Sequence, residues 1–358
     1  MKTKKRKEFV YFNEKAYDIL KNYLFHKVDS VQNIFILVDE KTNKHCLPIL
    51  LQKINFLKKS NIIKIKSGEK EKNIYTCIQI CKHLEKFKAT RKSLILNLGG
   101  GVITDIGGFV ASIFKRGIRF INIPTTLLGM VDASIGYKTG VNLNSIKNEI
   151  GTFSIPEFLI VDTYFLKTLP NSEIFSGMAE MFKHGLIADK NFWKQMNQEI
   201  QIDNIIIHNN NKWEKLIHKS ILIKKKIVDQ DPKEKGLRKI LNFGHTIGHA
   251  LESYFMNIKK KILHGIAVSM GIIYESWISL KINGLSLYDY KEIKSTLTAL
   301  YPIQNKISDI EIKKLFLIME HDKKNEKNKI QFSLLKKIGK CSYNCIVPYS
   351  LIRDSFFN

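Results

Sequence analysis

Cysteine is scarce: Cys46, Cys77, Cys81, Cys341 and Cys345 are the whole complement of 358 residues. An odd, sparse set in a long chain excludes a disulfide framework and predicts reduced thiols. Cys77/Cys81 and Cys341/Cys345 are each four residues apart, a spacing that suits a metal only on helices and otherwise marks semi-buried thiols. No apolar run approaches the ~20 residues that span a bilayer. Nor does an apolar h-region follow the basic start Met1-Lys2-Thr3-Lys4-Lys5-Arg6-Lys7, because charges punctuate Glu8 to Lys21. The expectation is no secretory signal, no membrane partner and a cytoplasmic location.

Acids are also few, 33 against 58 Lys and Arg, for a formal charge of +25. That balance invites a nucleic-acid reading. The bases, however, are mostly lysines spread over the whole chain, without zinc-finger spacing, a basic-region heptad or an aromatic RNA-binding signature. With abundant Ile, Asn, Phe and Tyr beside them, they read as a codon bias towards A/T-rich triplets, and no specific nucleic-acid partner is expected. Internal repeats, low-complexity linkers and a His-Glu-x-x-His zincin motif are absent as well.

What remains is a globular composition, 44% hydrophobic, in a chain long enough for two domains. In the first part, strands alternate with helices, which predicts a parallel sheet with crossovers. Ile34–Val38 is a buried strand ending at Asp39, an acid that either holds a ribose hydroxyl or caps a helix. Leu47–Ser60 has helical spacing, Ile62–Ile65 is a strand, and Ile74–Phe87 is an amphipathic helix. Leu94–Leu98 is a strand that runs into Gly99-Gly100-Gly101-Val102-Ile103-Thr104-Asp105. A strand, a glycine turn and a helix N-terminus present backbone N–H groups to a pyrophosphate. Glycines alone also fit a structural bend, and the strict G-x-G-x-x-G fingerprint fails because Thr104 stands at the third glycine. Another strand, Ile118–Ile123, closes on Pro124-Thr125-Thr126, and a polar glycine-containing loop is expected from Val131 to Gly140 and on to Lys147-Asn148. Phe158–Asp162 reads as the last strand of the sheet.

Helical patterns dominate from Asn171, which sets the expected boundary at domains 1–170 and 171–358. Ser176 to His184 begins a helix with Glu180, Lys183 and His184 on one face. Trp213–Asp229 is a helix bearing Lys224, Lys225 and Lys226, of which one at most points at a given site. Leu237–Tyr254 reads as a single buried helix, with Arg238, Asn242, His245 and His249 in a stripe roughly 60° wide. Four polar groups on a buried helix need partners. His264-Gly265 opens another helix, and one glutamate with two histidines suits a divalent transition metal with an open position. Ile330–Leu335 and Cys341–Val347 read as a terminal hairpin.

Nearly the full length resembles the 3-dehydroquinate synthase family. The motifs that carry the resemblance include G-G-G-V-I-T-D, R-G-I-R-F, P-T-T-L-L, V-D-A-S-I-G-Y-K-T-G-V-N, S-G-M-A-E-M-F-K-H-G, L-R-K-I-L-N-F-G-H-T-I-G-H and H-G-I-A-V. It implies an α/β N-terminal domain with a Rossmann-like, mostly parallel sheet and an all-α C-terminal domain. It also implies an NAD-dependent, zinc- or cobalt-dependent lyase, converting 3-deoxy-D-arabino-heptulosonate 7-phosphate to 3-dehydroquinate and phosphate. Oxidation, phosphate elimination, re-reduction and an internal aldol closure follow one another in that reaction. By the same resemblance, the metal ligands fall on Glu180, His245 and His264. NAD contacts fall on Asp39, Gly68, Glu69, Lys70, Glu71, Lys72, Gly100, Gly101, Val102, Ile103, Thr104, Asp105, Thr125, Thr126, Lys138, Lys147, Phe165, Leu166, Lys167 and Thr168. Substrate contacts fall on Asp132, Lys138, Lys147, Asn148, Lys183, Lys224, Arg238, Asn242 and His249, the last for proton transfer or phosphate contact. Arg116 is the position that reaches across a homodimer in such enzymes, and Lys323 or Lys324 matches a further anion contact. Tyr137 stands where the family usually has glycine, Gly140 where it often has alanine, and Ile266 where it usually has glutamate. Related sugar-phosphate cyclases and metal-dependent polyol dehydrogenases are the rival readings.

Overall fold

The aliphatic runs of the first part assemble, in a computed structural model of the chain, into one six-stranded sheet. The structure describes residues 9–144, 146–200, 210–260, 262–302, 307–320 and 330–358. The chain divides into two compact units, Met1–Pro170 and Asn171–Asn358.

In the first unit the sheet strands are β1 (Val10–Phe12), β2 (Ile34–Asp39), β3 (Asn61–Ile65), β4 (Leu94–Gly99), β5 (Arg119–Pro124) and β8 (Leu159–Val161). They lie in the order β1-β8-β5-β4-β2-β3, and every pair is parallel. A parallel sheet covered on both faces needs apolar side chains at successive positions, and all six residues of β4 are buried. The helices are α1 (Asn13–Lys27), α2 (Glu40–His45), α3 (Leu47–Lys53), α4 (Ile74–Lys86) and α5 (Gly101–Ile113). Cys77, Ile80 and Leu84 of α4 and Ile103, Ile106, Phe109 and Val110 of α5 share a core with Phe35, Leu37, Ile95 and Phe120 of the sheet. Strand order reverses between β2 and β4, and ligands of such sheets bind outside the carboxyl ends of the strands at that switch. Asp39 and Gly99 end those two strands.

The polar stretch expected as a loop folds differently. Lys138–Leu143 (β6) and Ile146–Phe153 (β7) pair antiparallel, Lys138 opposite Phe153. The period-two signal fails there because the hairpin is held largely by polar groups. Thr139 Oγ1 and Thr152 Oγ1 lie 2.9 Å apart, and the Thr152 hydroxyl donates to Ser112 of α5 at 2.8 Å.

The second unit is helical: α6 (Asn171–Ala188), α7 (Lys190–Glu199), α8 (Asn210–Gln230), α9 (His245–Asn257), α10 (His264–Ile282), α11 (Leu287–Leu300), α12 (Asp309–Glu320) and α13 (Tyr349–Ser355). It also carries the expected hairpin, β9 (Gln331–Lys337) against β10 (Lys340–Ile346). α6 starts five residues before Ser176 and buries every residue from Ser176 to Ile187. The single helix expected over Leu237–Tyr254 is two pieces. A 3-10 helix covers Leu237–Asn242, and α9 begins at His245 after Gly244 turns left-handed at φ +78°. A methyl group on Gly244 would stand 2.4 Å from Ile272 Cγ1, so the turn also needs glycine for space. The four polar residues therefore do not share one helical stripe. Cys341 and Cys345 lie on a strand, not a helix, and all five thiols are free. No helix among the described residues is long and apolar enough to cross a membrane.

Candidate active site

In the first unit the glycine turn closes on its neighbours. Gly100 is the N-cap of α5 and offers no side-chain cap, so no side chain of its own covers the helix's first amides. A methyl group there would meet Thr126 Cγ2 at 2.9 Å, which explains why the position carries no side chain. Thr125, buried, donates its amide to Gly99 at 3.0 Å, and Thr126 Oγ1 accepts the Gly129 amide at 3.0 Å. Behind the turn, Lys72 is buried and its ammonium reaches Asp105 Oδ2 at 2.5 Å and Asn148 Oδ1 at 2.6 Å. Burial pushes the Asp105 carboxyl above its ordinary value, with Lys72 pulling against it. That lysine ties three expected contact segments together: the 68–72 turn, the start of α5 and the β6–β7 hairpin. The turn is fastened a second time by Asn142, whose amide nitrogen donates to Glu69 at 2.9 Å. Gly68, Glu69 and Lys70 are exposed.

Asp39 caps α2. Its Oδ1 accepts the Thr42 amide at 2.8 Å, in a reciprocal capping box. Phe165 and Leu166 are fully buried core residues, as is Ile103, so only their backbone is available to a ligand. Lys167 is exposed over the Tyr164 ring, and the Thr168 hydroxyl lies 3.7 Å from the Cys46 sulfur. Val102 is half-buried, while Thr104 turns its hydroxyl back to the Gly101 carbonyl at 3.1 Å. Asp132 sits on the helical turn Gly129–Ala133, Lys138 is exposed at the start of β6, and Lys147 is half-buried on β7. Arg116 is exposed after α5, at φ +67°.

The second unit brings three helices to one point. Glu180 of α6 is wholly buried. Its Oε1 lies 3.3 Å from His245 Nε2 at the start of α9 and 3.2 Å from His264 Nε2 at the start of α10. Donor atoms from all three residues fall within 4.8 Å of one another. Donors held about 2.1 Å from a tetrahedral ion stand roughly 3.4 Å apart, so this trio fits one divalent metal. Each imidazole is gripped at its far edge. His245 Nδ1 faces the Phe243 carbonyl at 3.2 Å, and His264 Nδ1 faces Glu252 Oε2 at 3.4 Å. Burial pushes the Glu180 carboxyl up, but the adjoining Lys183 ammonium and both imidazoles outweigh it and hold the group well below the carboxylate range. Burial and Lys183 push His245 down, keeping it neutral, the form that binds a metal. Burial would lower His264 too, yet Glu252 and Glu180 raise it to about 10.

Around this trio, His249 is half-buried with its ring centroid 4.9 Å from that of His245 and 6.3 Å from that of His264. Lys183 is buried against Glu180. Of the three consecutive lysines on α8 only Lys224 is buried. Arg238, also buried, donates from Nη1 to the Pro232 carbonyl at 2.7 Å, and Asn242 donates to Glu234 at 2.8 Å. Lys323 and Lys324 lie outside the described residues.

Four acids were missed by sequence reasoning. Glu252 and Glu234 contact candidate residues directly. Asp231 accepts the amides of Lys235, Gly236 and Arg238 at 3.0, 2.7 and 3.1 Å, shaping the turn that presents Arg238. Glu275, wholly buried on α10, accepts the amides of Gly244 at 2.7 Å and Ile247 at 3.1 Å, and so caps α9 from another helix. A lone acid in the apolar run of α10 was the available signal for Glu275. For Glu252 it was a carboxylate two turns after His245.

The sequence profile of the 3-dehydroquinate synthase N-terminal region matches residues 62–176, and that of the C-terminal region matches 177–325. A 3-dehydroquinate synthase of Parabacteroides distasonis is 42% identical over 324 residues, 90% of each chain. One of Dictyoglomus thermophilum is 39% identical over 91% of this chain and 88% of its own. Among solved structures, a 2-deoxy-scyllo-inosose synthase complexed with carbaglucose-6-phosphate, NAD+ and Co2+ superposes with a TM-score of 0.85. It is 26% identical and covers 97% of this chain and 95% of its own. A 2-epi-5-epi-valiolone synthase of Streptomyces hygroscopicus, 21% identical, shares the fold with a TM-score of 0.80 over 100% of this chain and 98% of its own.

Proposed function

The chain belongs to the 3-dehydroquinate synthase family, and from that premise we propose how its residues divide the work. The activity is that of a carbon–oxygen lyase: 3-deoxy-D-arabino-heptulosonate 7-phosphate becomes 3-dehydroquinate and phosphate, in the shikimate route to aromatic amino acids. NAD and one divalent metal, zinc or cobalt, are the cofactors. When bound, NAD takes up and returns a hydride, and the metal acidifies the hydroxyl that is oxidised.

Glu180, His245 and His264 hold the metal. The observation that supports this most is the pair of Nε2 atoms facing one buried carboxylate oxygen at 3.2 and 3.3 Å. The first unit holds NAD at the Gly100–Asp105 turn, with Asp39, the 68–72 turn, Thr125, Thr126, Lys138, Lys147 and the 165–168 backbone around it. The lysines, Arg238, Asn242 and Asn148 suit a substrate bearing both a phosphate and a carboxylate. His249 holds or moves a proton at the departing phosphate or a neighbouring hydroxyl, and Asp132 orients the sugar. Arg116, exposed, reaches across a homodimer, and the enzyme works in the cytoplasm on a small-molecule substrate.

Phosphate release and absorbance of the reduced nicotinamide, followed together, test this reading. The heptulosonate phosphate is expected to release phosphate only with metal and NAD present, and reduced cofactor does not accumulate. No release under replete conditions would overturn the reading, and steady accumulation of reduced cofactor would turn it towards a polyol dehydrogenase.

A further inference from the structure

His264 and His245 are built alike. Each ring turns Nε2 towards Glu180 Oε1, and each is held at Nδ1 by an acceptor outside the candidate ligand set. For His245 that acceptor is a backbone carbonyl. For His264 it is the side chain of Glu252, which is 7% exposed. Glu252 lies on α9, seven residues after His245, while His264 is the first residue of α10, whose N-cap Leu263 supplies no side-chain cap. A carboxylate beside an uncapped helix N-terminus is favourably placed. A neutral imidazole, the metal-binding form, that donates Nδ1–H to it has its lone pair on Nε2 and its ring plane fixed.

We propose that Glu252 is a positioning residue of the metal centre: it accepts Nδ1–H of His264 and so fixes the Nε2 face of that ring towards Glu180. This rests on the reading of Glu180, His245 and His264 as metal ligands. Glu252 meets His264 at Nδ1, the ring edge opposite the Nε2 that faces Glu180, so the role assigned to it is orientation rather than ligation. His249 lies on the same turn of α9, and its donor atom falls within 4.8 Å of those of Glu252 and His264, so the same carboxylate also borders the proposed proton-handling group.

The test is zinc affinity of the chelator-stripped protein, by competition with a metal indicator, together with the imidazole N–H proton resonances of the zinc-loaded protein. The parent chain is expected to bind one zinc and to show a His264 Nδ1–H resonance protected from exchange. Glu252→Ala is expected to weaken zinc binding about 10–100-fold and to lose that resonance. Glu252→Gln, whose amide oxygen still accepts Nδ1–H, is expected to recover most of the affinity and to keep the resonance. Unchanged zinc affinity in Glu252→Ala, or equal weakening in both variants, would overturn the proposal. If Glu252→Ala fails to fold, Glu252→Gln decides alone: retained affinity and resonance support orientation, and their loss contradicts it. A parent chain that binds no zinc would instead defeat the ligand reading on which the proposal stands.

Discussion

Tyr137 occupies a backbone conformation that suits glycine. Its φ is +62°, yet the residue is only 7% exposed and its ring meets that of Phe9 edge-on at a centroid distance of 5.7 Å. The left-handed backbone costs about 1–2 kcal/mol, whereas deleting a buried aromatic side chain costs about 3–5 kcal/mol. Packing wins. Tyr137→Gly is expected to lower stability by about 2 kcal/mol in denaturant unfolding, and a gain in stability would show that the strain dominates. Asp231 makes a prediction of opposite kind. Slight burial raises its carboxyl, but the amides of Gly236, Lys235 and Arg238 outweigh it and hold the group below its ordinary value. A depressed carboxyl contributes stability above its unfolded pKa of about 3.9 and loses it as pH falls through the folded value. The stability difference between the parent and Asp231→Asn is therefore expected to be constant from neutral pH down to about pH 5 and to shrink below about pH 4. Thermal melts across that range check it, and a difference that persists at low pH would contradict it.

At the scale of elements, the proposed metal centre depends on how closely α9 and α10 approach. A methyl group on Gly271 would lie 2.0 Å from the Gly244 carbonyl oxygen and 2.8 Å from the Gly248 amide nitrogen, so backbone meets backbone there. One turn further along α10, Glu275 grips the first amides of α9. Gly271→Ala must push the helices apart, at about 3 kcal/mol or more, and it displaces His245 from Glu180. The expected result is a lower melting temperature together with weakened zinc retention, the latter read by metal analysis after dialysis. Normal retention in a folded variant would show that the close approach does not set the ligand geometry. This contact is also why one helix was expected where two pieces exist. The apolar spacing of Leu241, Ile247 and Leu251 continues across Gly244, while the residue that caps the second piece, Glu275, is 31 positions from Gly244. The polar hairpin β6–β7 escaped for a related reason, since its strands lack an apolar alternation. By contrast, β2 and β4 were legible from their mostly apolar runs, and the helix through Ser176–His184 from its spacing, although it starts earlier, at Asn171.

For the whole molecule, the parallel sheet, the helical second part and the family were legible because each rests on many positions at once. Individual contacts were less so. Glu180, His245 and His264 could be matched to family positions, but nothing in their spacing says that one carboxylate oxygen faces two Nε2 atoms. Asp39 illustrates the ambiguity: ribose contact and helix cap were equal expectations, and its Oδ1 is engaged in the cap. The central claim is that Glu180, His245 and His264 hold the single divalent ion on which lyase activity depends. Titrating zinc into the chelator-stripped protein, with NAD and the heptulosonate phosphate present, tests it most directly. Phosphate release is predicted to return in proportion to zinc and to saturate at one equivalent per chain, while folded His264→Ala neither retains zinc nor regains activity. Phosphate release by the stripped protein, or a His264→Ala variant that binds zinc as tightly as its parent, would contradict the account.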